Sequence, residues 1–144
     1  MRPPIESWGI DSVLRPLAGG HRNHAFVTVC SGLGQQLVFK STRRSEPALE
    51  WLSAVQKIAE GVGFVVPQLI ANHNGRLVEN GWTCEPYIDG NLFSADELPT
   101  IRSKLVAFHA GTKDISQRPG FLSSRDLIEL EYGGDVDLGG MPAD

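Results

Sequence analysis

A glycine pair, Gly19-Gly20, separates two segments that read as strands, and Lys40 closes a third. A glycine-rich turn lets backbone N–H groups approach phosphate oxygens with no Cβ in the way. A lysine ammonium offers those oxygens a compact cation. Further along, Glu50 lies on a segment with helical spacing, where a carboxylate could pair with the ammonium and hold it in place. Glu46 is a second candidate for that pairing, although an acid is expected at a helix start in any case. The charge pattern points the same way. No acidic residue occurs between Asp11 and Glu46, an interval that holds Arg15, Arg22, Lys40, Arg43 and Arg44 together with His21 and His24. Such a field suits a phosphate-bearing ligand.

These residues need particular elements to position them. Ile10 to Leu17 reads as a strand, and Ala25 to Cys30, rich in β-branched and aromatic residues, as a second. Ser31-Gly32-Leu33-Gly34 is a hairpin turn, so Gln35 to Ser41 must run antiparallel to the strand before it. The glycines therefore join strand to strand, and no Rossmann-like crossover fits. Ser45-Glu46-Pro47 opens a helix, with Ala48, Leu52, Val55 and Ala59 as its apolar stripe, flanked by Leu49 and Ile58. Gly61 and Gly63 stop it. Val65 to Ala71 is extended, Asn72 to Gly75 and Asn80-Gly81 turn, and Trp82 to Ile88 is another strand. Ile101, Leu105 and Phe108 mark a second helix, with Pro99 in its first turn and its end at Gly111. The expectation is an α+β layer: a mostly antiparallel, five-stranded sheet with one packed helix, followed by a second helix. Strand alternation puts Val38 and Lys40 on one face, so that Val38 can line a purine pocket while Lys40 reaches the phosphates. Cys30 and Cys84 read as small strand hydrophobes.

Several motifs then fall in register: Leu17-Ala18-Gly19-Gly20-His21-Arg22-Asn23, Leu37-Val38-Phe39-Lys40, Leu49-Glu50, Val66-Pro67, Glu85-Pro86-Tyr87-Ile88-Asp89-Gly90 and Leu105-Val106-Ala107-Phe108-His109. In order and spacing, over residues 10–112, the chain resembles the aminoglycoside phosphotransferase / choline kinase group of small-molecule kinases. The resemblance implies a protein-kinase-like fold, with residues 1–88 as the nucleotide-binding lobe and 89–144 as the exit from the connector and the start of a helical second lobe. It implies ATP-dependent phosphorylation of a hydroxyl on a small molecule. Gly19, Gly20 and Asn23 would cover the nucleotide phosphates, Lys40 would bind them, and Glu50 would be its ion-pair partner. Glu85 to Ile88 would be the connector that meets adenine. The Pro86 carbonyl would accept from the amino group and the Ile88 N–H would donate, with Tyr87 between them. The catalytic loop of that group, His-Gly-Asp-x-x-x-x-Asn, does not occur in the sequence, so no catalytic residue is assigned. The ligands for magnesium are expected beyond residue 144, and Gly133-Gly134-Asp135 reads as a turn. The missing second lobe would carry the acceptor site. The alternative is a non-catalytic nucleotide-binding or interaction module, truncated or pseudokinase-like.

Composition bounds the rest. The chain has 144 residues, 41% of them hydrophobic and 21% charged, which suits a domain with its own core. No run nears the ~18 consecutive apolar residues of a membrane span, and no apolar stretch follows Met1-Arg2-Pro3-Pro4 as a secretory signal requires. The two cysteines make neither a disulfide framework nor a zinc site, and a cytoplasmic setting is expected. The tryptophans show no pattern for stacking on nucleic acid. The formal charge of -4 belongs to the end of the chain, where residues 125–144 hold six acids and one base. The expectation is an amino-terminal fragment of a two-lobed kinase.

Overall fold

The computed structural model describes residues 2–18, 24–29, 34–90 and 94–121, together with the backbone of 132–133 and 136–137. Its main sheet is formed by β1 (Leu14–Pro16), β2 (Ala25–Thr28), β3 (Leu37–Ser41) and β4 (Trp82–Pro86), in the order β1-β2-β3-β4. Every neighbouring pair is antiparallel. Between β3 and β4 runs α1 (Glu46–Gly61), and α2 (Leu98–Thr112) follows β4. Two short strands, β5 (Tyr132–Gly133) and β6 (Val136–Asp137), pair antiparallel at the expected turn. The α+β class is as expected, and no helix among the described residues is long and apolar enough to cross a membrane.

The sheet has four strands, not five. The extended segment around 65–71 forms no ladder because its backbone groups go elsewhere. Pro67 has no N–H to give, and its carbonyl accepts from the Gln56 side chain at 2.9 Å. The Gln68 N–H turns back to the Val66 carbonyl at 3.0 Å. The Ile70 carbonyl takes the Trp8 indole N–H at 2.8 Å. One ladder-like bond survives, from the Ile70 N–H to the Cys84 carbonyl at 2.8 Å.

Alternation along the strands divides the sheet into two faces. Leu37 and Phe39 of β3 and Trp82 and Cys84 of β4 lie on one face and form the core with Trp8. Phe26, Leu14, Ile5, Ile10 and Ile70 pack against them. Trp8 meets Phe39 edge-on at 5.6 Å between ring centroids, and Phe26 lies 5.8 Å from Trp82. The expected strand over 10–17 is shorter at its start. A 3₁₀ turn, Ile5–Trp8, precedes it, and the Ile10 N–H closes on the Ile5 carbonyl, which turns Ile10 inward.

Helix α1 begins and ends close to its sequence signals, with Pro47 in the first turn. Ser45 sits at the N-cap without a side-chain hydrogen bond. At the other end Gly63 takes φ +91°. The Phe64 N–H reaches the Ala59 carbonyl and the Gly63 N–H reaches the Glu60 carbonyl, the pair of bonds that defines a Schellman ending. Helix α2 has Pro99 in its first turn, as expected, but it runs through Gly111 to Thr112 instead of stopping there. Gly111 serves helix packing: a Cβ on it would lie 2.9 Å from Cγ2 of Ile58 on α1. Phe64 meets Phe108 at 6.3 Å, and the Lys104 ammonium donates to the Gly63 carbonyl at 2.8 Å, which fastens α2 to the end of α1.

Candidate functional site

The second face of the sheet carries the residues of interest. Its register sets Arg15 opposite Val27, Val27 opposite Val38, Ala25 opposite Lys40, Val38 opposite Glu85, and Lys40 opposite Thr83. Val38 and Lys40 share this face, as alternation requires. Val27, Val38, Thr83 and Glu85 are buried, whereas Lys40 is exposed. The Lys40 ammonium forms an ion pair with the Glu85 carboxylate. The side chains are unequally exposed, 46% for Lys40 and 10% for Glu85. The carboxylate therefore sits inside and the ammonium at the rim. An ammonium has three donors, so one can meet Glu85 while others face outward.

The ion-pair partner here is Glu85, where the resemblance implies Glu50. Glu50 is exposed on α1, and no ion pair of it occurs among the described residues. Its position, next to the buried Leu49, turns it off the packed side of the helix. Glu46 is engaged elsewhere. One of its carboxylate oxygens accepts the Leu77 N–H, and the other lies 3.9 Å from Nε of Arg76. In the sequence, Glu85 stands out for its backbone alone. Its side chain was open to prediction through period two: with Trp82 and Cys84 inward on the core face, Thr83 and Glu85 must share the other face with Lys40.

Residues 85–88 end β4 and leave the sheet. The Tyr87 N–H donates to the Gln36 carbonyl at 2.8 Å, which continues the β3–β4 ladder. Hydrogen-bonded and non-bonded positions alternate in such a ladder. The Cys84 carbonyl points away from β3 to meet Ile70, and the Pro86 carbonyl, two residues on, faces the same outer edge. The Ile88 N–H has no hydrogen bond among the described residues, and Ile88 is 40% exposed. Tyr87 is half-buried.

Gly19, Gly20 and Asn23 lie outside the described residues; the residues on either side of them are described. The Leu17 N–H donates to the Ala25 carbonyl at 2.9 Å, and the His24 N–H to the Ser41 hydroxyl at 2.8 Å. Ala25 is the residue opposite Lys40, so Leu17 and His24 lie at the lysine end of the face. Residues 37 to 40 of β3 separate the connector end from the lysine end, roughly 10 Å at strand rise, a span that a nucleoside can bridge.

Cys84 lies directly behind this face and is fully buried. Burial, with the neighbouring Glu85 charge as a second cause, pushes its thiol up to about 12. It behaves as the strand hydrophobe its position suggests. Among the described residues, no three His, Cys, Asp or Glu side chains gather where they could hold a metal ion. No protein-family model matches the chain, and no curated protein matches it significantly.

Proposed function

We propose that the Val38–Lys40–Glu85 face binds the nucleotide of an ATP-dependent phosphotransferase acting on a hydroxyl of a small molecule, and that this chain supplies the nucleotide-binding part. The observation that carries the reading is the register of β3. Its lysine end lies opposite Ala25, two residues after Asn23, and its other end pairs Leu37 with Pro86. A purine with its edge on the Pro86 carbonyl and the Ile88 N–H would direct its phosphates toward Lys40, and would meet Val38 once the cover over that buried side chain opens. Phosphoryl transfer depends almost entirely on positioning and charge neutralisation. On this face Lys40 supplies positive charge at the end where Ala25 and Thr83 lie opposite it, and Arg15 is a second cation on the β1 edge. The resemblance to the aminoglycoside phosphotransferase / choline kinase group supports the same reading.

Calorimetric titration of the chain with ATP tests it. Binding should be measurable and should weaken about tenfold or more when Lys40→Met removes the charge, since charge-assisted contacts to phosphate are among the strong polar ones. Equal ATP affinity in folded Lys40→Met protein would reject the assignment.

A further inference from the structure

We infer that Glu85, and no carboxylate of α1, is the positioning residue for Lys40, so that the phosphate-binding cation is anchored within the sheet. The inference rests on the nucleotide reading above and adds to it which group orients the lysine. Lys40 and Glu85 stand on adjacent strands, on one face, one register step apart on the diagonal, a separation that long side chains bridge. The β3–β4 ladder runs unbroken from Leu37↔Pro86 to Ser41↔Trp82, so neither backbone can shift without breaking hydrogen bonds. The Glu85 side chain is walled in by the buried Val38 and Thr83. It has little rotamer freedom left to lose when it holds the ammonium.

Neither α1 carboxylate pairs with Lys40 in this structure. Glu50 is exposed, and Glu46 is bound to the Leu77 N–H and lies beside Arg76. A consequence follows for control of the site. A lysine held by a helix carboxylate loses its anchor when the helix moves. A lysine held by the neighbouring strand keeps its place wherever α1 sits. The carboxylate also stays behind the ammonium, on the side away from solvent, so that incoming phosphates meet the cation first.

The test uses the whole chain, with ATP and adenosine as calorimetric probes and thermal melts to check folding. Glu85→Gln, which keeps the shape and removes the charge, should weaken ATP binding about tenfold and leave adenosine within about twofold, because only phosphate contacts depend on the placed cation. Glu50→Gln should leave both ligands unchanged. In a Lys40→Met background, Glu85→Gln should have no further effect on ATP, the signature of action through the lysine. Three outcomes overturn the inference: ATP binding that weakens in Glu50→Gln as it does in Glu85→Gln, ATP binding unchanged in Glu85→Gln, or ATP binding that tightens there because Glu85 competes with phosphate for the ammonium. The Glu50→Gln arm stands even if Glu85→Gln does not fold. Binding of neither ATP nor adenosine by the unmodified chain overturns the nucleotide site itself, and this inference with it.

Discussion

Gly111 of α2 faces Ile58 of α1 so closely that a methyl group at position 111 would sit 2.9 Å from the isoleucine Cγ2. Two effects oppose each other in Gly111→Ala. Helix propensity favours alanine by about 1 kcal/mol, and forcing a methyl into a packed contact costs ~1–3 kcal/mol. The overlap involves a β-branched side chain with few alternative rotamers in a helix, so the cost should prevail. The expected result is a loss of roughly 1 kcal/mol in urea unfolding. In an Ile58→Ala background the clash is gone and the same change should stabilise the protein. The reversal of sign, more than either magnitude, checks the contact.

Lys40 and Glu85 make a second contrast. Lys40→Met leaves a buried carboxylate without its cation, a loss on the order of 1–3 kcal/mol. Half-exposure of the lysine puts the expected value at the low end of that range. Glu85→Gln leaves an exposed ammonium that water can solvate, so it should cost less. The double variant should recover most of the loss seen in Lys40→Met. Chemical denaturation of the four proteins gives the coupling directly; additive losses would contradict the pairing.

The thiol of Cys84 supplies a pH prediction. Its folded value of about 12 lies above the ordinary 9.0. Between those values the folded protein holds a proton that the unfolded chain releases, so stability falls as pH rises. The contribution is complete below pH 9 and is lost on the way to 12. Cys84→Ala should flatten that decline in alkaline denaturation curves. At pH 8 a maleimide should label Cys84 only after unfolding, because the thiol is both buried and protonated. Mass mapping of the labelled peptide separates it from Cys30.

The limits of α1 and the antiparallel β2–β3 pairing were legible because each depends on short-range signals: Pro47, the Gly63 ending and the short spacing before β3. The partner of Lys40 was not, because it depends on the register of β4 against β3. Those two strands are separated in sequence by α1 and the turns at 72–75 and 80–81. The missing fifth strand has a similar cause. Val65 to Ala71 has strand composition, yet the side chains of Trp8 and Gln56, distant in sequence, claim its carbonyls. Gly111 reads as a stop because glycine usually ends helices, and only the position of Ile58 shows its other use.

Glu46 links α1 to the turn that leads into β4. It occupies the first turn of the helix, where its charge suits the helix dipole, and its carboxylate accepts the Leu77 N–H. The other oxygen is buried without a hydrogen bond, 3.9 Å from Nε of Arg76, whose Nη1 also lies 3.7 Å from Glu79. Across the turn, the buried Asn72 accepts the N–H groups of Asn74 and Arg76 through its Oδ1 and donates to Glu79. The turn therefore has its own internal scaffold, and Glu46 is the link from the helix to it. Glu46→Ala should leave the Leu77 amide without an acceptor and lower stability by about 1–2 kcal/mol. Glu46→Gln keeps an acceptor for Leu77 and should cost less, though its amide faces the Arg76 guanidinium poorly. Hydrogen exchange of individual amides distinguishes this from a global effect. The Leu77 amide should exchange faster in Glu46→Ala under conditions where Asn74 and Arg76, held by Asn72, keep their protection. Equal acceleration at all three amides would mean that Asn72 cannot hold the turn without the helix, and the link would then be structural for the whole segment from Asn72 to Glu79.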